Sequence, residues 1–363
     1  MSSSYVSLDN PGDLIAALPS ALGFTPHRSL AVLVLCDTTS ASASSLQVTA
    51  LVRIDLDSPV QSMAPVIRRI CRSCESTLVS VVVVDDRLEM STAREHPISK
   101  RPYRKLIKAL TRLLYEAGIE LCAAWATPAI ESGAPWCRVR GRTDTGVLPD
   151  PSTSMFAAKT AAEGDHTFSS RSELAALLDV DQPMADRVAE LLPLAEAVVD
   201  QQTMLASPGG DPDVYPRRAL ERLLWLISSV ESGHLPTLVE TVQTAIALRD
   251  RRVRDSVLAI AVGPHAHAAE SLWLHLTRSL PTSERAGAAT LVGYSAYARG
   301  DGALAGLALQ RALEADPEHS MAILLETALS LGMKPQHLRR LARSGVIAAH
   351  ELGIDLDIPS EFL

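Results

Sequence analysis

The stretch Asp9–Leu35, DNPGDLIAALPSALGFTPHRSLAVLVL, decides the fold, because it leads from a helix through a glycine stop into a buried strand. Asn10 stands where an N-cap is needed and Pro11 suits the first helical position. Asp13 puts a carboxylate in the first turn, where the helix dipole favours it. Gly23 falls where a helix closes on a positive φ, Phe24 can fold back onto Leu18 or Pro19, and Pro26 forbids continuation. The helix is therefore predicted to end near Leu22. Leu30–Leu35, LAVLVL, has no polar alternation, the pattern of a strand covered on both faces.

Beyond that strand, the serine- and alanine-rich Thr38–Leu46 reads as an exposed turn, and Gln47–Leu56 reads as an antiparallel partner of the first strand. A helix is expected from Ser58 and Pro59 to about Ser76, and the β-branched Leu78–Val84 is a buried strand ended by Asp85 and Asp86. A helix over Pro102–Ala117, capped by Gly118, then precedes a strand over Ile119–Ala126, with Trp136–Arg140 as a short edge strand. This β-β-α-β-α-β order predicts an α/β domain over residues 1–148 whose sheet is mainly parallel with one antiparallel strand. From residue 149 to 363 strand patterns vanish and an all-α domain is expected, with an internal linker at 207–216, SPGGDPDVYP.

Within that second half, Val292, Gly293, Gly300, Ala305, Leu309, Ala312 and Pro317 fit the spacing of a tetratricopeptide repeat, while Ala289 and Ala296 replace its large aromatic positions. The helical half is thus expected to hold a tetratricopeptide-like hairpin. One such repeat is compatible either with a lone hairpin or with a peptide-binding solenoid, which needs about three.

The opening pattern LxxALPxxLGFxPxxSLxVxxL resembles that of an actinobacterial family known only as a domain of unknown function. SRSELAALL (Ser170–Leu178), the Arg-Asp of RVRDSVL (Arg252–Leu258) and RGDGALAGLALQRALEADPEHSMAILLETAL (Arg299–Leu329) resemble the same family in the same order. The resemblance implies an architecture and no activity. The family pattern has a cysteine cluster near the end of the sheet region, where this chain has only Cys137, so no metal or disulfide role carries over.

With 47% apolar and 21% charged residues among 363, the composition is that of a globular chain long enough for two cores. MSSSYVSLDN has no basic segment followed by an apolar core, and no run approaches the roughly 18 apolar residues of a membrane span, so no membrane partner and a cytoplasmic location are expected. Five cysteines, an odd number, are expected as free thiols in a reducing compartment. A formal charge of −8 and 4% aromatic content argue against nucleic acid as a partner.

Two groups of residues are candidates for binding. Asp37 follows the first strand and Asp85 and Asp86 follow the third, and in open α/β sheets ligands collect beyond the carboxyl ends of strands. Converging there, these carboxylates would hold Mg²⁺ beside a phosphate; otherwise they are ordinary turn aspartates. The second group is a basic run, Lys100, Arg101, Arg104, Lys105, Lys108 and Arg112, uninterrupted by acid before Glu116. Arg101, Lys105, Lys108 and Arg112 share one helical face, either as an attractor of phosphate or an acidic partner or as a solvated surface.

No other pattern carries chemistry. Cys71 and Cys74 form a CxxC inside an amphipathic helix without a second pair, and His265, His267 and His275 lack the HExxH spacing. Glycine-rich phosphate loops and a GxSxG elbow are absent. Arg254 and Asp255 read as helix-packing residues. The sequence identifies no catalytic residue, resident metal or cofactor, and it is compatible with two functions. The first is a non-catalytic interaction or regulatory protein that meets a protein partner through its helical half. The alternative is a binder of, or enzyme on, a phosphorylated metabolite or nucleotide at the strand ends, with Mg²⁺ as the metal it would use.

Overall fold

The computed structural model describes residues 10–40, 43–88, 101–140, 144–162, 166–205, 211 and 213–358. The chain divides into two compact units, Met1–Leu174 and Ala175–Leu363. The division falls later than the expected 148/149. Phe168 bridges to Phe24, with the Thr25 amide donating to the Phe168 carbonyl and the Phe168 amide to that of Gly23, so the segment after the sheet stays with it.

The first unit opens with α1 (Pro11–Ala16) and α2 (Leu18–Leu22). The single helix expected here is broken at Ala17, because Pro19 in the second turn offers no amide to the ladder. Gly23 has φ 77°, the left-handed stop expected of it. Asn10 occupies the N-cap position without capping the backbone; its amide donates instead to Asp13 Oδ2 at 2.6 Å.

There follow β1 (Ser29–Ser40), β2 (Ala43–Asp55), α3 (Val60–Ser73), β3 (Leu78–Val84), α4 (Arg101–Tyr115), β4 (Glu120–Thr127), β5 (Pro135–Arg140), β6 (Thr145–Val147), α5 (Met155–Ala162) and α6 (Arg171–Ala176). The six strands form one sheet in the order β2-β1-β3-β4-β5-β6. The expectation of a mainly parallel sheet is wrong: only β3 and β4 pair in parallel, and every other neighbouring pair is antiparallel. The expected alternation of strands and helices is present, but the β1–β2 hairpin places β1 between β2 and β3. Two strands that run the same way across α3 are thereby separated by one that opposes both. Thr38–Leu46, expected as a turn, lies largely within the two strands, which pair as far as Ser40 and Ala43.

Strict alternation in β1 explains its burial. Leu30, Val32 and Val34 face a core with Met63 and Ile67 of α3 and Ile107, Leu110 and Leu114 of α4. Ala31, Leu33 and Leu35 face the opposite core, with Leu14, Ile15 and Leu18 of the opening helices and with Trp125 and Trp136. LAVLVL is a two-sided strand, as its apolar run requires.

The second unit is helical among its described residues: α7 (Gln182–Leu205), α8 (Val214–Glu231), α9 (Leu238–Ala247), α10 (Arg251–Ser256), a 3-10 turn at Val257–Val262, α11 (Ala266–Ser279), α12 (Thr282–Arg299), α13 (Gly302–Ala315), α14 (Ser320–Ser330) and α15 (Pro335–Glu351). Half of the expected linker 207–216 lies outside the described residues, and its last three, Val214–Pro216, are already helical. Gly300, at φ 103°, turns α12 into α13, and Asp301 caps the second helix by accepting from the amides of Ala303 and Leu304. The two helices approach so closely that a Cβ on Gly293 would lie 2.7 Å from Leu309 Cγ. Gly345 of α15 meets backbone, its Cβ position being 2.7 Å from the Ala259 nitrogen and 2.8 Å from the Asp255 carbonyl oxygen. The Arg254–Asp255 segment thus serves helix packing; Arg254 Nε comes no nearer than 4.0 Å to Asp255 Oδ1.

Candidate functional site

The topology separates the strand-end aspartates. β1 and β3 are antiparallel, with Ser29 opposite Val84 and Leu35 opposite Leu78. Asp85 follows Val84 beside the start of β1, whereas Asp37 lies two residues past Leu35 at the other end. At roughly 3.3 Å per residue the two backbones are about 30 Å apart, so a shared ion is excluded. Asp37 is itself a strand residue opposite Leu46, and its side chain lies outside the described residues.

Asp85 and Asp86 are neighbours that face different ways. The Asp85 side chain is fully buried, and both of its oxygens are occupied. Oδ1 accepts from the Arg87 amide at 3.0 Å and from Arg87 Nε at 2.9 Å. Oδ2 accepts from Arg87 Nη2 at 2.9 Å and from the Tyr103 hydroxyl at 2.6 Å. Burial alone would raise the Asp85 pKa, but the hydrogen bonds from Arg87 and Tyr103 outweigh it and hold the carboxyl below its ordinary value. Tyr103, desolvated and tied to a carboxylate, is pushed well above the usual phenol range. Arg87 Nη2 also donates to Asp57 Oδ1 at 3.0 Å, while the exposed Asp86 accepts from Arg28 Nε at 3.0 Å. Arg87 serves both Asp85 and Asp57, and Arg28 serves Asp86. The cluster is an arginine-paired clasp that joins β3, α4 and the end of β2, and no group of three potential metal ligands occurs among the described residues.

The basic run behaves differently. Tyr103, Ile107, Leu110 and Leu114 recur along the inner side of α4 and are buried, which turns the cations outward. An open groove of about 590 Å³ lies between α4 and β5, lined by Arg104, Ile107, Lys108, Thr111, Arg112 and Tyr115 of the helix and by Val139 and Arg140 of the strand. Arg104, Lys108 and Arg112 succeed one another at intervals of four, so they form a row along one wall, about 12 Å long at 1.5 Å per residue. Arg140 stands on the opposite wall and donates to the Leu121 carbonyl. Tyr115 is 80% exposed at the end of the row. Among the described residues these cations make one ion pair, the weak Arg112–Glu116 contact at 3.9 Å.

Of the face expected from spacing, Lys108 and Arg112 line the groove and Lys105 does not. Arg101 begins α4 with its side chain outside the described residues, and Lys100 lies outside them altogether. Sequence spacing missed Arg140 because its position depends on an irregularity. Arg138 pairs with Trp125 and Arg140 with Ala124, leaving Val139 as an extra residue. Such a bulge turns the residues at it to one side of the sheet, here toward α4. Arg138 stays on the other face, over the Trp125 ring at 5.9 Å.

The family profile described as Domain of unknown function (DUF4192) matches residues 11–336, most of both units. The chain belongs to the DUF4192 family. No curated protein and no solved structure matches it. In this DUF4192 chain the match begins at Pro11, the first residue of α1, and ends just inside α15, so it includes the opening motif, the clasp and the groove.

Proposed function

We propose that this DUF4192 chain is a non-catalytic, cytoplasmic protein-interaction protein with a regulatory role, and that its α/β unit docks a partner in the α4/β5 groove. The carrying observation is the contrast between the two charged clusters. At the strand ends every carboxylate described is satisfied by arginine or tyrosine, whereas the groove presents cations and an exposed tyrosine to solvent in a concave surface. Exposed aromatic and arginine side chains in a groove are the residue types that carry binding energy at protein interfaces. Five cysteines, none of them in a disulfide, support the reducing location.

The helical unit offers a second, smaller surface. A cleft of about 200 Å³ lies by α12, with Ala286, Gly287 and Ala288 along it and Arg249, Arg254 and His319 around it. A tetratricopeptide-like reading of the α12–α13 hairpin suits this cleft as a further partner contact. The alternative, a phosphorylated ligand at the strand ends, draws nothing from a clasp whose acids are already paired.

Affinity capture of the tagged full-length chain from actinobacterial cells, the source to which the opening motif points, tests the proposal. A partner recovered reproducibly across growth conditions is expected, and crosslinking from a photoreactive residue at Thr111 should reach it. Absence of any reproducible partner would end this reading.

A further inference from the structure

Resting on the interaction reading, we infer that the α4/β5 groove takes an acidic segment of a partner protein, whose carboxylates follow the row Arg104, Lys108 and Arg112. The row spaces its cations about 6 Å apart, four residues at 1.5 Å each. Carboxylates recur at about that interval on every fourth residue of a helix, or on every second residue of an extended chain at roughly 3.3 Å per residue. Arg140 closes the opposite wall, so a segment lying in the groove meets cations on both sides. Tyr115, exposed at the end of the row, supplies an aromatic surface for an apolar neighbour of those acids.

The arrangement disfavours other anions. A single phosphate is held by donors that converge on one point, often backbone amides at a helix start. Here the cations are strung along about 12 Å of helix, and amides in the middle of α4 are taken by the helix itself. Nucleic acid is bound through many phosphate contacts, and this groove offers four cations in a chain of formal charge −8.

The test is fluorescence anisotropy of the full-length chain with short labelled peptides bearing glutamate at every second or every fourth position. A lysine peptide, a single-stranded oligonucleotide and pyrophosphate serve as comparison probes. A glutamate peptide should bind, and raising salt from about 50 to 300 mM should weaken it severalfold as the Debye length shortens. The variant R104E/K108E/R112E should lose at least about tenfold in affinity, Tyr115→Ala severalfold, and Lys105→Glu, on the same helix outside the groove, less than about twofold. An unchanged melting midpoint in each variant ensures that binding and not folding is read. No glutamate-peptide binding, an equal loss in Lys105→Glu, or tighter binding of the oligonucleotide or pyrophosphate would overturn the inference. A partner still captured from cells in that event would leave the interaction reading standing and place its contact elsewhere.

Discussion

The Tyr103 hydroxyl donates to Asp85 Oδ2 at 2.6 Å, fastening the start of α4 to the end of β3 inside the core. The same carboxylate holds Arg87 through both of its oxygens, so one buried charge organises a helix, a strand and a loop. Arg87 is half-exposed and keeps its pair with Asp57, so loss of Asp85 removes charge-assisted hydrogen bonds and leaves the Tyr103 hydroxyl in the core without its acceptor. Asp85→Ala should therefore destabilise the chain by about 2 to 4 kcal/mol, and Tyr103→Phe by about 1.5 to 3 kcal/mol, in urea denaturation followed by circular dichroism. Because the folded Asp85 pKa lies below its unfolded value, its contribution is complete above the unfolded pKa of about 3.9 and disappears as pH falls through the folded one. The penalty of Asp85→Ala should shrink correspondingly in acid.

A second acid gives a pH effect that can be read at a single resonance. Glu240 closes a capping box at the start of α9, accepting from the Thr237 amide and hydroxyl at 2.7 Å and lying 3.0 Å from His234 Nε2. The Thr237 amide, the Thr237 hydroxyl and His234, in that order, hold its pKa down to about 2. A carboxyl carbon titration by NMR should place the Glu240 midpoint near that value. Glu240→Gln should lower stability above pH ~4.5, with the loss fading toward pH ~2 as the wild-type side chain protonates.

Divalent metal should leave the fold unmoved. The Asp85 oxygens are filled by four protein donors, and Asp37 sits at the far end of the sheet. Magnesium at millimolar concentration should shift the wild-type melting midpoint by less than about one degree, since only binding to the native state raises it. A clear rise abolished by Asp86→Ala would show that the strand ends hold an ion after all.

The helical packing predicts an order among three glycine substitutions. Gly345→Ala should cost most, because its Cβ would press on backbone atoms of the Ala259 and Asp255 region that cannot rotate away. Gly293→Ala drives into the Leu309 side chain, which can yield in part, and should cost about 1 to 3 kcal/mol. Gly287→Ala meets nothing within 4 Å and should be neutral or stabilise α12 by up to about 1 kcal/mol. Thermal denaturation of the three variants would expose any other ranking.

Thiol chemistry should follow burial. Cys71 is buried in α3, and desolvation with Cys74 and Cys36 nearby raises its pKa to about 11. At pH 8 its thiol should resist Ellman's reagent in the native state and react only on unfolding, while the half-buried Cys36 and Cys122 react earlier.

What the sequence made legible was local. LAVLVL announced a strand with two apolar faces, and Gly23 its left-handed turn. What it concealed depends on partners distant in the chain. A hairpin inserted into a crossover leaves the same string of elements as a parallel sheet, so the antiparallel pairings beyond β1–β2 were not readable from alternation. Asp85 resembled a free strand-end carboxylate because Tyr103, eighteen residues on, gives no sign of reaching back to it. Half of the groove was visible as a basic helix face. The other wall was hidden behind the extra residue Val139, which no periodicity marks.

The position of β1 also bears on how the chain is made. It leaves the ribosome before either of its sheet neighbours, and the hairpin gives it β2 at once. Its other edge stays open until α3 and then β3 have followed. During that interval an apolar strand edge is exposed to wrong pairing with any neighbouring nascent chain. The pace at which α3 emerges thus sets how long the future centre of the sheet is at risk of aggregation.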